Sequence, residues 1–155
     1  MAMFLSENEE DTMSLAAKIA RESSKDAVYT LTGEMAAGKT KFAQGFAKGL
    51  SIDDYVTSPT FNLHNIYKFK GGELHHFDLY RLKSEEEALD LGIDEYFKME
   101  NTICLIEWPE IIKDLLPRRA INISIDKLTE NKRKITIDKE HRSNLYIDKA
   151  LNLRL

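Results

Sequence analysis

The chain has 155 residues, 43% apolar and 31% charged, with seven Gly and three Pro, which suits one domain around one core and excludes both a long multidomain machine and wholesale disorder. Its 22 Lys and Arg against 26 Asp and Glu leave a net charge of -4, so no basic excess is present to hold a polyanion by counterion release. Cys104, the single cysteine, has no partner for an internal disulfide, and neither a leader nor a span of about 18 apolar residues is legible. The expectation is a soluble, cytoplasmic protein without a membrane segment.

In chain order, Ser6 and Glu9 have capping-box spacing ahead of Thr12, Leu15, Ala16, Ile19 and Ala20, which predicts an amphipathic surface helix. After the polar break 23–26, residues 27–32 are short, β-branched and apolar enough for a strand covered on both sides. A glycine loop follows at once, and Phe42, Ala43, Phe46, Ala47 and Leu50 then recur at helical spacing, with Gly49 as a stop signal. Residues 56–61 mix hydroxyls with Pro59, which disfavours helix at Ser58, so an extended loop is expected.

Two strand-like stretches, 61–69 and 73–81, flank Lys70-Gly71-Gly72 as an antiparallel hairpin. Ser84 with Glu87 opens a second helix towards Gly92. The apolar run 102–106 predicts a central buried strand that ends abruptly at Glu107. Ile111, Ile112, Leu115 and Leu116 suggest a short helix closed by Pro117. Ile121, Ile123 and Ile125, then Ile135 and Ile137, alternate with polar residues as a second hairpin with one solvated face. Residues 143–155 read as a weakly amphipathic helix or a frayed tail.

The segment Gly33-Glu34-Met35-Ala36-Ala37-Gly38-Lys39-Thr40 fits G-x-x-x-x-G-K-[ST] and lies after an apolar strand and at the opening of a helix. Such a loop turns backbone N–H groups inward and adds the positive end of a helix dipole, so polyphosphate binding is expected. Lys39 would then reach the β and γ phosphates and the Thr40 hydroxyl would ligate Mg²⁺. Glu107, at the carboxyl end of the buried strand, stands where P-loop proteins hold Mg²⁺ or orient an attacking water. Asp78 shares a strand face with His76 and Tyr80. The hydroxyls of Thr57, Ser58 and Thr60 lie where nucleotide switches sense a γ-phosphate. Pattern alone leaves blander readings open: a plain glycine turn, a loop carboxylate at 107, an Asp78–Arg81 ion pair beside a structural His76, and a packed Trp108. Adjacent His75 and His76 point to opposite faces of a strand, so no structural metal is expected. The fold class that follows is α/β: one three-layer P-loop NTPase domain over 1–155, with a mainly parallel central sheet and antiparallel hairpin additions.

Taken in order, Gly33 to Thr40, Thr57-Ser58-Pro59-Thr60-Phe61, His76-Phe77-Asp78-Leu79-Tyr80-Arg81-Leu82 and Ile106-Glu107-Trp108-Pro109-Glu110 resemble the TsaE (YjeE) family over nearly the whole chain. The resemblance implies a small P-loop ATPase required for N6-threonylcarbamoyladenosine at position 37 of tRNA, with ATP and Mg²⁺ as cofactors and the TsaD and TsaB transferase subunits as partners; tRNA would be reached only through that complex. It implies Lys39 and Thr40 as Walker A residues, Glu107 as the second Mg²⁺ ligand and Asp78 as a residue needed for hydrolysis. By the same resemblance Gly33, Met35, Ala36, Ala37 and Gly38 wrap the phosphates, Ser58 and Thr60 are switch-like and Trp108 borders the nucleotide. Glu9, Glu110 and Arg133 match family positions near it. The family loop commonly reads G-D-L-G-A-G-K-T, whereas Glu34 and Ala36 stand here. If position 36 needs positive φ, alanine costs up to about 1 kcal/mol relative to glycine.

No dedicated arginine finger is legible; Arg81, Arg118 and a residue supplied by a partner are equal candidates, so slow turnover alone and faster turnover on a partner are expected. Two other readings compete: a small P-loop kinase of a metabolite, and an adaptor for which ATP is only a structural ligand.

Overall fold

The structure, a computed structural model, describes residues 1–59 and 63–138. Its elements are β1 (Ala2–Ser6), α1 (Glu9–Arg21), β2 (Val28–Thr32), α2 (Lys39–Gly49), β3 (His64–Phe69), β4 (Gly72–Asp78), α3 (Glu85–Asp90), α4 (Ile93–Tyr96), β5 (Thr102–Glu107), a 3₁₀ turn (Pro109–Ile112), β6 (Ile121–Lys127) and β7 (Arg133–Asp138). The strands form one sheet in the order β1-β7-β6-β2-β5-β4-β3. β6, β2, β5 and β4 run parallel, while β3 adds to β4, β7 to β6 and β1 to β7 antiparallel. The α/β class with a parallel centre and hairpin additions is therefore observed. β2 and β5 are the apolar runs because both of their faces are covered.

One face carries α1 and α2. Leu15, Ile19, Phe42 and Phe46 pack there on Tyr29, Leu31, Leu105 and Ile123, and each fully buried phenylalanine removes enough apolar surface from water to stabilise by about 2–3 kcal/mol. α1 crosses α2 closely at Gly49, the last residue of α2: a Cβ there would lie 2.4 Å from the Ala17 carbonyl. The glycine read as a stop signal is thus also a contact that admits no side chain. The opposite face carries α3, α4 and the 3₁₀ turn, through Ala88, Ile93 and Ile112 on Val28, Phe77, Cys104 and Ile106. Burial pushes the Cys104 thiol up to about 12, so it stays a packed, unreactive thiol. No helix among the described residues is long and apolar enough to cross a membrane.

Two expectations are corrected, and one short helix is added. The first element is a strand, β1, and the helix after it is capped by Asn8, whose side chain accepts from Asp11 N at 2.9 Å. Ser6 is the last residue of β1; its hydroxyl donates to the Asn8 carbonyl at 2.7 Å and lies 2.7 Å from Thr12 Oγ1. The helix expected from Ser84 towards Gly92 is α3, capped by Ser84; the short α4 beyond Gly92, which sits at φ +75°, was not expected. Only a 3₁₀ turn, not a helix running to Pro117, follows Pro109. The predicted terminal segment 143–155 lies outside the described residues.

Candidate functional site

Because β2, β5 and β4 are parallel, their carboxyl ends open on one edge of the sheet, where α/β proteins place ligands. The register sets Leu31 against Glu107 and Glu107 against Asp78. A cavity of about 700 Å³ lies there. It is walled by the loop residues Met35, Ala36, Gly38, Lys39 and Thr40, by Ser58, by Asp78, Glu107 and Trp108 at the strand ends, and by Glu9 and Arg133 from either side.

The loop conformation follows from its residues. Gly33 has φ +155°, and a Cβ there would meet the Ile125 carbonyl at 2.6 Å, so only glycine fits. Gly38, at φ +114°, precedes Lys39 at the start of α2. Ala36 sits at φ +62°, so alanine occupies a left-handed position that glycine would hold without strain. The Ala37 amide closes the turn on the Glu34 carbonyl at 3.1 Å. Gly33 and Ala37 do not line the cavity but act through their carbonyls, which accept from Lys39 Nζ and Arg133 Nε, each at 2.6 Å. Arg133 also donates to the Thr129, Glu130 and Lys132 carbonyls, fastening the β6–β7 turn over the loop.

α2 begins without a side-chain cap and without an acid in its first turn. Its first helical bond is Phe42 N to the Gly38 carbonyl at 3.0 Å, so the amides of Lys39, Thr40 and Lys41 have no intrahelical acceptor. These donors and the dipole behind them fit an anionic group.

Lys39 is 6% exposed, its ammonium 3.6 Å above the Trp108 ring centroid. Burial holds its pKa below the usual lysine value, while Glu107, Asp78 and Glu110 act in the opposite sense. Trp108, at φ +56°, packs edge-on against Tyr80 with centroids 5.0 Å apart. Thr40 Oγ1 and Ser58 Oγ share a 2.9 Å hydrogen bond, joining the helix start to the 56–59 loop. Glu107 is 3% exposed, and its Oε2 lies 2.6 Å from His76 Nε2. Asp78 Oδ1 accepts from Tyr80 N at 3.0 Å; burial raises its pKa against the lowering effect of that bond. A hydroxyl and a buried carboxylate at one cavity, beside bare amides and a lysine, are the oxygen donors that Mg²⁺ prefers, so the residues fit a magnesium–polyphosphate pair.

Glu110 is placed elsewhere. The turn after Trp108 carries it into a second cavity of about 610 Å³, lined with Thr30, Lys113, Arg118 and Asp138. Its charge still acts on Lys39, as the weakest of the three acids. Arg118 faces that second cavity, while Arg81 lines the first. Thr60 lies outside the described residues. Asn8, Thr12, Leu63, Lys127 and Asn131 also line the main cavity, and no motif of the sequence pointed to them; Tyr80 of the His76–Leu82 motif lines it too. Its strand face, shared with Asp78, was a further signal. Adjacent His75 and His76 point to opposite faces: His75 Nδ1 lies 2.8 Å from His64 Nε2, whereas His76 meets Glu107.

A family model described as "TsaE: Threonylcarbamoyl adenosine biosynthesis protein TsaE" matches residues 6–135. The tRNA threonylcarbamoyladenosine biosynthesis protein TsaE of Bacillus subtilis is 40% identical over 129 residues, covering 83% of this chain and 80% of the relative. That of Rickettsia felis is 40% identical over 136 residues, covering 87% and 78%. The crystal structure of Bacillus subtilis YdiB superposes with a TM-score of 0.79 at 29% identity, covering 99% of this chain and 95% of that one.

Proposed function

The chain belongs to the TsaE family of threonylcarbamoyl adenosine biosynthesis proteins, and from that premise we propose that it binds and hydrolyses ATP with Mg²⁺ in the main cavity, acting in the cytoplasm on the TsaD–TsaB transferase complex during tRNA N6-threonylcarbamoyladenosine formation. The observation that carries the nucleotide reading is the uncapped, acid-free start of α2 facing the cavity shared by Lys39, Thr40 and the buried Glu107.

In this reading Lys39 exchanges its bond to the Gly33 carbonyl and its place over Trp108 for phosphate oxygens. The amides of residues 39–41 bind and orient the triphosphate. Thr40 and Glu107 hold Mg²⁺, which when bound neutralises negative charge on the phosphates. Ser58, bonded to the Thr40 hydroxyl, couples the site to its loop, which suits a switch responding to nucleotide. Asp78, next to Glu107 in register, positions water or relays the state of the site. Arg133 keeps the loop closed from behind.

Phosphate release measured with and without TsaD and TsaB tests the hydrolytic part. The expected result is slow release alone and faster release with both partners, and a chain that releases none in either case would be an adaptor. Repeated rounds of tRNA modification test the coupling: Lys39→Ala protein that sustained them at the unsubstituted rate would remove ATP hydrolysis from the function.

A further inference from the structure

His76 lies in β4, two strands from the β2 that leads into the loop, and the nucleotide reading assigns it nothing. Its imidazole is fully buried, with Nε2 2.6 Å from Glu107 Oε2 and Nδ1 without a hydrogen-bond partner. These two facts select a tautomer. With the proton on Nε2 the ring donates to the carboxylate and leaves only a lone pair unpaired at Nδ1. The other tautomer would bury an N–H where no acceptor reaches and would set a nitrogen lone pair against a carboxylate oxygen.

The backbone explains why the contact is fixed. His76 pairs in register with Leu105, and Asp78 with Glu107, so His76 and Glu107 are diagonal neighbours on one face of adjacent parallel strands. The sheet itself holds the two side chains together. With Oε2 committed to the ring, the other carboxylate oxygen of Glu107 is the one left for the cavity that Glu107 lines. A buried imidazole that pins one oxygen of a metal-binding carboxylate fixes its rotamer before the ion arrives, as outer partners of metal ligands do.

We propose that His76 is a positioning residue for the metal-binding carboxylate: it donates from Nε2 to Glu107 and fixes the direction in which the second oxygen meets a divalent cation. The proposal rests on Glu107 being the Mg²⁺ ligand. It concerns metal affinity first and turnover only as a consequence.

The experiment is a calorimetric titration of Mg²⁺ into full-length protein held with excess ADP, for the unsubstituted chain, His76→Leu, His76→Gln and Glu107→Gln, with ADP binding in EDTA as the control. His76→Leu removes the donor, whereas the Gln amide nitrogen reaches about the position of Nε2. Expected are a loss of about tenfold or more in Mg²⁺ affinity for His76→Leu, recovery to within about threefold for His76→Gln, and unchanged metal-free ADP binding in both. If Glu107→Gln is impaired but folded His76→Leu binds Mg²⁺ like the unsubstituted chain, the positioning role is overturned while the Glu107 reading stands. If Glu107→Gln itself binds Mg²⁺ normally, the Glu107 reading falls and takes the proposal with it. Should His76→Leu fail to fold, ¹⁵N NMR of the unsubstituted protein decides: a protonated Nε2 supports the proposal, and an Nε2 without a proton overturns it.

Discussion

α1 and α3 start as helices usually do, and α2 does not. Asn8 caps α1, with Glu9, Glu10 and Asp11 in the first turn, and Ser84 caps α3, with Glu85, Glu86 and Glu87 following. In both, a side-chain oxygen takes an orphan amide and carboxylates face the positive end of the dipole. α2 has Gly38 at its cap, no carboxylate in its first turn, and Lys39 and Lys41 instead. α4 also lacks a side-chain cap but carries Asp94 and Glu95 in its first turn, so among the described α-helices α2 is the one start with neither device, and the proposed function assigns its amides to an outside anion. The contrast also separates two kinds of substitution, those that should be read in stability and those that should be read in binding.

The largest expected effect is on the bare helix. Lys39→Ala removes the ammonium and with it charge-assisted bonds to phosphate, which should weaken Mg²⁺-ATP binding roughly 100-fold in a titration. Gly33→Ala drives a Cβ against the Ile125 carbonyl and should cost about 2 kcal/mol or more of stability in denaturant unfolding, together with nucleotide affinity, because the loop must move. Ser84→Ala is the control from the capped helices: a loss of about 1 kcal/mol in the same unfolding measurement, with ATP affinity unchanged. Ala36→Gly relieves the left-handed alanine and should gain about 0.5–1 kcal/mol, which sharpens the contrast by showing that the loop carries strain that the capped starts do not.

Acid should act on stability away from the loop. Burial, reinforced by neighbouring His75, holds the His64 pKa down at about 4 against the usual 6.5. Between those values the unfolded chain binds the extra proton and the folded one does not, so stability falls as the pH drops from 6.5 towards 4. Thermal melts at pH 7 and pH 5 check this, the lower melting temperature being expected at pH 5.

Much of this was legible in the residues. The apolar runs 27–32 and 102–106 marked the two strands covered on both faces, and the glycine-lysine loop between strand and helix located the cavity. β1 was hidden because its outward residues Met3 and Leu5 are apolar and exposed while Ser6 is buried, which inverts the alternation that reveals an edge strand. Ser6 therefore passed for a helix cap. Glu110 follows Trp108 so closely that nothing in the local pattern shows the chain turning to the other side of the sheet. Lys127 and Asn131 reach the cavity because Arg133 ties the β6–β7 turn to the Ala37 carbonyl, a contact across 96 positions in sequence that no local period encodes. The engagement of Glu107 by His76 likewise needed the parallel register of β4 on β5.

Calorimetric titration of Mg²⁺-ATP into the unsubstituted chain, Lys39→Ala and Ser84→Ala, side by side, tests the claim about the bare start of α2 most directly. One site per chain for the unsubstituted protein and for Ser84→Ala, with affinity weakened roughly 100-fold in Lys39→Ala, is the predicted result. Equal binding by Lys39→Ala and the unsubstituted chain, or none by either, would contradict it.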